Sequence, residues 1–377
     1  MMASETCGVG RRDMYKTFRV KNFRCFKDLQ INDLGRVNLI AGKNNTGKTA
    51  LMEAMYLHTK PLSPHVLIDL QSTRGLAVSQ DFLPRFWKQF FNQMNSSDPM
   101  EISASGTEPL QCHELRVTEF GNTSGNFQTS EQLYSDLVSR GKVGTDAHAV
   151  MSSIDKFLHF ELVTDGEESP SVFYFRDPWS YKNSDVEQNS FFIPVQGRPS
   201  KQEVASQLSQ LEIDGTLSEL IKTLQILEPD LSDLRLLSPD GEMIIWALLK
   251  GQSLPVRLMG EGMNQICHLA LTLITNPNCI AFIDEIENGI HYSVQTKVWE
   301  AIGQMARELD IQVFATTHSL EMIRAAYRSF KECGALEDLR LHRLDRDADT
   351  GDIEAVTYNR RGLEALATFD FDFEVRG

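Results

Sequence analysis

GKNNTGKT, residues 42 to 49, fits the spacing G-x-x-x-x-G-K-[ST] without a gap. Gly42 and Gly47 let backbone N–H groups turn inward onto an anion, where side chains would block the approach. The residues ahead, RVNLIAG (36–42), read as a short buried strand ending in glycine. Those behind, NNTGKTALMEAMYLH (44–58), have helical spacing, with Leu51, Ala54, Met55 and Leu57 on or near one face. A helix starting there directs its positive end at the same anion. An ordinary glycine turn has no need of this strand–loop–helix context. Gly42, Lys43, Asn44, Asn45, Thr46, Gly47, Lys48 and Thr49 are therefore expected to cradle nucleotide phosphates. Lys48 is expected to reach the β- and γ-phosphates, and Thr49 to ligate Mg²⁺.

A second stretch, CIAFIDEIENGIHYS (279–293), delivers Asp284, Glu285 and Glu287 at the end of an apolar run. Carboxylates this close repel one another unless a cation or solvent separates them. A solvated acidic turn is the competing reading. With a phosphate loop in the same chain, a strand ending in Asp is what holds Mg²⁺ opposite the loop threonine. Asp284 is the expected metal ligand, with Glu285 orienting or deprotonating the attacking water. Thr316-Thr317-His318-Ser319 follows the next strand, and His318 is expected to sense the γ-phosphate, bridging it to the water or to Glu285.

The rest of the chain supplies the frame. Its 377 residues are 41% hydrophobic and 24% charged, as in a folded globular protein with ample core. The 37 basic against 52 acidic residues give a net charge of -15, which argues against passive wrapping of nucleic acid. Six cysteines form no CxxC pair and read as reduced packing residues; Cys112-His113 lacks zinc spacing. No apolar run reaches the ~18 residues of a membrane span, so a cytoplasmic protein is expected. Residues 1–14 read as a loose arm. YKTFRVKNFRCFKDLQI (15–31) reads as edge strands, and about 60–190 as an inserted α+β region with its own hairpins. Residues 200–227 look helical and 242–249 strand-like. From about Gly262, helix, strand 279–283, helix 293–309, strand 311–317 and a helix near Leu320 give the order of a parallel sheet covered by helices. FDFDFEVRG (369–377) alternates as a half-buried strand would.

VKNFRCF, the phosphate loop, the Asp-Glu strand, ENGIH and TTHS together resemble the ABC-type P-loop ATPases of the repair and defence branch. That branch contains the RecF and SMC heads and the ATPase half of the overcoming-lysogenization-defect (OLD) nucleases. The wording is most similar to standalone prokaryotic AAA family ATPases of the OLD-like group, over about 15–58 and 191–377. The resemblance implies an α/β P-loop NTPase fold: an ABC-type head with a mixed β-sheet flanked by helices, over 15–377, interrupted by the insertion.

It also implies ATP and Mg²⁺ as ligands, Lys48, Glu285 and His318 as the catalytic set, and a homodimer sandwiching two nucleotides. Gly260-Glu261-Gly262 then matches the signature loop that caps the partner's γ-phosphate. The usual serine-glycine-glycine is replaced, and Glu261 brings negative charge towards a triphosphate. Asn288 and His291 match the interface stretch, and Arg24 a basic position near the phosphates. Gln71, Gln80 and Gln89 are all open as the linker glutamine. No TOPRIM-like nuclease segment is recognised. The implied output is control of a separate effector protein or of a nucleic-acid transaction, with phage defence as the family-level biology. A scaffold that holds ATP without hydrolysing it stays open, as does a guanine-nucleotide switch, although no NKxD-like segment is present.

Overall fold

The computed structural model describes residues 14–63, 65–72, 74, 87–106, 113–121, 156–163, 171–174, 178–179, 188–195, 201–239, 241 and 243–369. Residues 1–13, Gln80, and 370–377 of the expected carboxyl-end strand lie outside them.

The central sheet contains β3 (Val37–Gly42), β9 (Ser190–Ile193), β13 (Ile280–Ile283), β14 (Gln312–Thr317), β15 (Leu339–Arg346) and β16 (Ile353–Tyr358). Its order is β16-β15-β3-β14-β13-β9, parallel throughout except for β16 at the edge. The strand carrying the phosphate loop is thus separated from the Asp-Glu strand by β14 alone. All three present their carboxyl ends on one side, where open α/β sheets bind ligands. The period of two along each strand feeds two cores. Val37, Leu39, Ala41, Val313 and Ala315 enter one. Ile40, Ile280, Phe282 and Phe314 enter the other.

A second sheet is antiparallel. It starts with β1 (Tyr15–Phe23) and β2 (Phe26–Ile31), joined at Arg24 and Cys25 with Phe23 opposite Phe26. Arg24 turns the corner at φ 48°, a left-handed conformation uncommon outside glycine. The sheet continues through β4 (Met100–Gly106), β5 (His113–Gly121), β6 (Lys156–Val163), β7 (Ser171–Tyr174) and β8 (Pro178–Trp179) in the order β2-β1-β4-β5-β6-β7-β8. The described strands of 60–190 therefore extend the sheet begun by the amino-terminal hairpin.

Helix α1 (Lys48–Thr59) packs against β1 and β4 on one side and β3, β9 and β14 on the other. The sequence reads this helix as one-faced; in the structure every residue from Ala50 to Thr59 is buried. A helix between two sheets has no solvent face, so its polar residues must find internal partners. Tyr15 Oη lies 2.7 Å from His58 Nδ1, and Thr59 Oγ1 donates to the Tyr56 carbonyl. Glu53 takes arginine partners described below. Helix α2 (His65–Ser72) follows α1.

The opposite face of the central sheet carries α3 (Lys201–Ile213), α4 (Leu217–Gln225), α5 (Glu261–Thr275), α6 (Gln295–Glu308) and α7 (Leu320–Glu332), and α8 (Arg360–Thr368) packs on β15 and β16. A small antiparallel sheet of β10 (Leu231–Leu237), β11 (Ile244–Leu249) and β12 (Gln252–Pro255) leads into α5. Cys267 and Cys279 are buried, and burial pushes both thiols up to about 12, as inert packing residues require. Among the described residues no helix is long and apolar enough to cross a membrane.

Candidate functional site

The phosphate loop leaves β3 at Gly42 and enters α1 at Lys48. Gly42 has φ 151°, and a Cβ there would sit 2.5 Å from the Leu344 carbonyl oxygen. Gly47 has φ 89°, and its Cβ would meet Cys25 Sγ at 2.6 Å and the Phe26 ring at 2.8 Å. Both positions therefore require glycine. Thr46 Oγ1 donates to the Lys43 carbonyl at 2.8 Å, and Arg346 Nη2 donates to the Asn45 carbonyl at 3.0 Å, which pins the crest of the loop. The Lys48 ammonium folds back onto the carbonyls of Gly42 and Lys43, at 2.8 and 2.9 Å. Burial lowers its pKa, opposed by the charges of Glu287, Glu285 and Asp284 in that order.

Thr49 and Asp284, expected on opposite sides of a magnesium ion, are in contact. Thr49 Oγ1 lies 3.1 Å from Asp284 Oδ1 and 3.0 Å from Oδ2. A third group completes the arrangement. Thr316, at the end of the intervening β14, donates its hydroxyl to Asp284 Oδ1. Thr316 Oγ1 in turn accepts the backbone N–H of Glu285 at 2.8 Å. Glu285 adopts φ 48°, uncommon for a residue with a side chain. Its main chain is held on both sides, since Asn288 N–H donates to the Glu285 carbonyl at 2.9 Å. In the sequence the only signal for Thr316 is a hydroxyl at the end of a central strand.

The expected link between His318 and Glu285 has a different partner. His318 Nδ1 lies 2.9 Å from Glu287 Oε1, and that oxygen also accepts the backbone N–H of His318 at 2.7 Å.

Arg24 is built into the protein interior. Its Nε lies 2.7 Å from Glu53 Oε2, and its guanidinium covers the Phe90 ring 4.7 Å from the centroid. Burial lowers its pKa to about 10 against the opposing charge of Glu53. Glu53 also receives Arg74, through Nε at 2.7 Å and Nη2 at 3.0 Å. Sequence reasoning missed Glu53 and Arg74, because an acidic residue in a helix gives no hint of which basic residues reach it. Of the three glutamines left open, Gln71 is fully buried in α2, and both ends of its amide lack a hydrogen-bond partner among the described residues.

Gly260, Glu261 and Gly262 stand at the amino end of α5, with Gly260 at φ 108°. They pack beside the turn after β13: a Cβ on Gly289 would meet Gln265 Oε1 at 2.7 Å and Glu261 Cγ at 3.1 Å. Asn288 and His291 sit on the same exposed turn, and His291 Nδ1 is 2.9 Å from Ser293 Oγ.

Among the described residues no cluster of three or more His, Cys, Asp or Glu side chains could hold a metal by itself. The donor set is one hydroxyl and one carboxylate. Such hard oxygens suit Mg²⁺, which keeps several waters and takes further ligands from substrate phosphates. The residues present fit that ion.

Two family models match the chain. An AAA ATPase domain covers residues 14–105, and an AAA domain described as putative AbiEii toxin, type IV TA system, covers 162–324. An ATP/GTP phosphatase of Helicobacter pylori is 23% identical over 359 residues, 89% of this chain and 93% of that protein. An OLD nuclease of Thermus scotoductus is 31% identical over 87 residues, 21% of this chain and 16% of the nuclease. The chain is an ATPase, similar over part of its length to AAA ATPase domains and, over a fifth of it, to an OLD nuclease.

This ATPase is also 46% identical to an uncharacterized protein of Methanocaldococcus jannaschii over 167 residues, 41% of the chain and 75% of that protein. Among solved structures, an Smc head domain bound to the carboxyl-terminal domain of ScpA from Pyrococcus furiosus aligns with a TM-score of 0.47 at 12% identity. The alignment covers 95% of the ATPase and 100% of that chain.

Proposed function

We propose that the protein is a cytoplasmic, Mg²⁺-dependent ATPase head, with the region of about 60–190 set into it, that works as an ATP-gated homodimer. The reading rests on one observation above the others: Thr49 and Asp284 meet at 3.0 and 3.1 Å from distant parts of the chain.

In this reading the N–H groups of residues 42–49 and the Lys48 ammonium bind the β- and γ-phosphates. Thr49 and Asp284 hold Mg²⁺, which neutralises charge developing on the phosphate oxygens. Glu285 orients a water in line with the γ-phosphorus and accepts its proton. The water oxygen bonds to phosphorus as the bond to the β-bridging oxygen breaks, releasing ADP and phosphate. His318 donates to or senses the γ-phosphate. Gly260, Glu261 and Gly262 cap the nucleotide bound to the partner subunit, with Asn288 and His291 beside the interface. Arg24 acts on the site through Glu53 and α1. The dimer closes with ATP and reopens after hydrolysis, controlling an effector protein or a nucleic-acid transaction.

Replacing Glu285 by Gln tests the reading. ATP binding should persist while hydrolysis falls by about 10²- to 10⁴-fold. Unchanged turnover would remove Glu285 from the role of base. Wild-type protein that binds ATP with no turnover would make it a nucleotide-holding scaffold instead.

A further inference from the structure

Three carboxylates end β13, and the reaction described above uses two. The third, Glu287, has the more telling surroundings. Its side chain is only 10% exposed. One oxygen, Oε1, receives two donors from a single residue: the backbone N–H of His318 at 2.7 Å and the ring Nδ1 at 2.9 Å. The other oxygen, Oε2, is buried and has no hydrogen-bond partner among the described residues. Glu287 is also the carboxylate whose charge acts most strongly on the Lys48 ammonium, ahead of Glu285 and Asp284. A carboxylate shielded from water and left half-paired beside a lysine is costly to keep for packing alone.

The double contact has a chemical consequence. A carboxylate oxygen only accepts, so the ring nitrogen facing it must carry hydrogen. Nδ1 is thereby the protonated nitrogen, and Nε2 is the one left to face substrate. Because the same oxygen also grips the main chain of His318, the ring cannot rotate about its side-chain bonds without losing a hydrogen bond. The His318 side chain is 42% exposed, so no close packing holds it otherwise.

We propose that Glu287 is a positioning residue that locks the rotamer and tautomer of His318 and so presents Nε2 to the γ-phosphate. This deepens the ATPase reading and rests on it. Glu287 acts through the histidine, whereas Glu285 acts on water.

The test is a double-mutant cycle on the full-length protein. Turnover, binding of a fluorescent ATP analogue and thermal midpoint are measured for E287A, E287Q, H318A, E287A/H318A and E287Q/H318A. E287A should lower kcat by about 10- to 100-fold, the scale of losing a carboxylate that orients a functional histidine, with nucleotide affinity within about twofold. The double variant should be no slower than H318A, since a residue acting through His318 has nothing left to position. E287Q, whose amide can present either its oxygen or its NH2 to Nδ1, holds one tautomer less firmly and should fall between wild type and E287A in activity. Losses that multiply in the double variant, or an E287A kcat equal to wild type, would overturn the proposal. Should E287A fail to fold, the E287Q pair carries the cycle.

Nitrogen NMR of histidine-labelled protein supplies a readout independent of turnover, with the His318 signal assigned by its loss in H318A. Wild type should show Nδ1 protonated, and E287A, or E287Q if E287A does not fold, a shift towards mixed tautomers. An unchanged tautomer overturns the assignment even with active enzyme. A locked tautomer in protein without ATPase activity would sink the ATPase reading and leave the Glu287–His318 lock standing.

Discussion

Thr316 joins Asp284 to the backbone of the adjacent glutamate: its hydroxyl donates to Asp284 Oδ1 while accepting the N–H of Glu285. The threonine stands on β14, between the strands that carry the phosphate loop and the acidic pair. One hydroxyl therefore ties the Asp284 carboxylate to the Glu285 main chain. Thr316→Val keeps the shape and removes the hydroxyl, leaving a part-buried N–H unsatisfied and Asp284 less constrained. We expect kcat to fall by about 10- to 100-fold with a higher Mg²⁺ requirement, and Thr316→Ser to stay close to wild type. Magnesium titrations of steady-state turnover check both.

Glu53 is a fully buried carboxylate gripped by Arg24 and Arg74. Two guanidiniums share one carboxylate, so removing its charge leaves two cations in or near the interior with no counter-charge. Glu53→Gln should lower unfolding free energy by about 3 to 5 kcal/mol, measured by denaturant titration. Thermal midpoints should show the loss in the presence of ATP as well, because the cluster supports α1 itself. An unaffected midpoint would mean that the two arginines find solvent when released.

His342 gives a pH dependence whose sign is fixed by burial. The ring lies between Asn38 Oδ1 at 3.2 Å and Thr357 Oγ1 at 2.9 Å, and burial, reinforced by Arg340, lowers its pKa to about 3 from an ordinary 6.5. Between these values the unfolded chain binds a proton that the native protein refuses, so stability falls as pH falls. From pH 7 to pH 5 this one residue should remove about 2 kcal/mol. In His342→Gln, denaturant midpoints should be lower at neutral pH and should change less over that range. An equal slope in both proteins would assign the acid sensitivity to other groups.

The phosphate loop, the acidic strand end and the TTHS segment were legible because each is local. Glycine spacing encodes a backbone path, and the period of two or 3.6 encodes a strand or a helix within a few residues. The same locality made α1 misleading. Its apolar positions gave it one face, but two sheets cover it, and Glu53 and His58 are buried with the rest. The strands between 100 and 179 were recognisable in part, yet their place in the sheet of β1 and β2 was not, since pairing with β1 depends on register across a long gap.

By itself, then, the sequence determined that this chain has a glycine–lysine loop between strand and helix, a strand ending in carboxylates and a later histidine, because short-range sterics and hydrophobic spacing suffice for those. Tertiary structure alone decided what they touch. The order β3-β14-β13 brings Thr49 to Asp284 and sets Thr316 between them. The left-handed turn at Glu285 sends successive carboxylates in different directions, so that Glu287, two residues on, is the one that meets His318. Such contacts depend on strand order and on a single backbone angle, and neither leaves a periodic trace in the residues themselves.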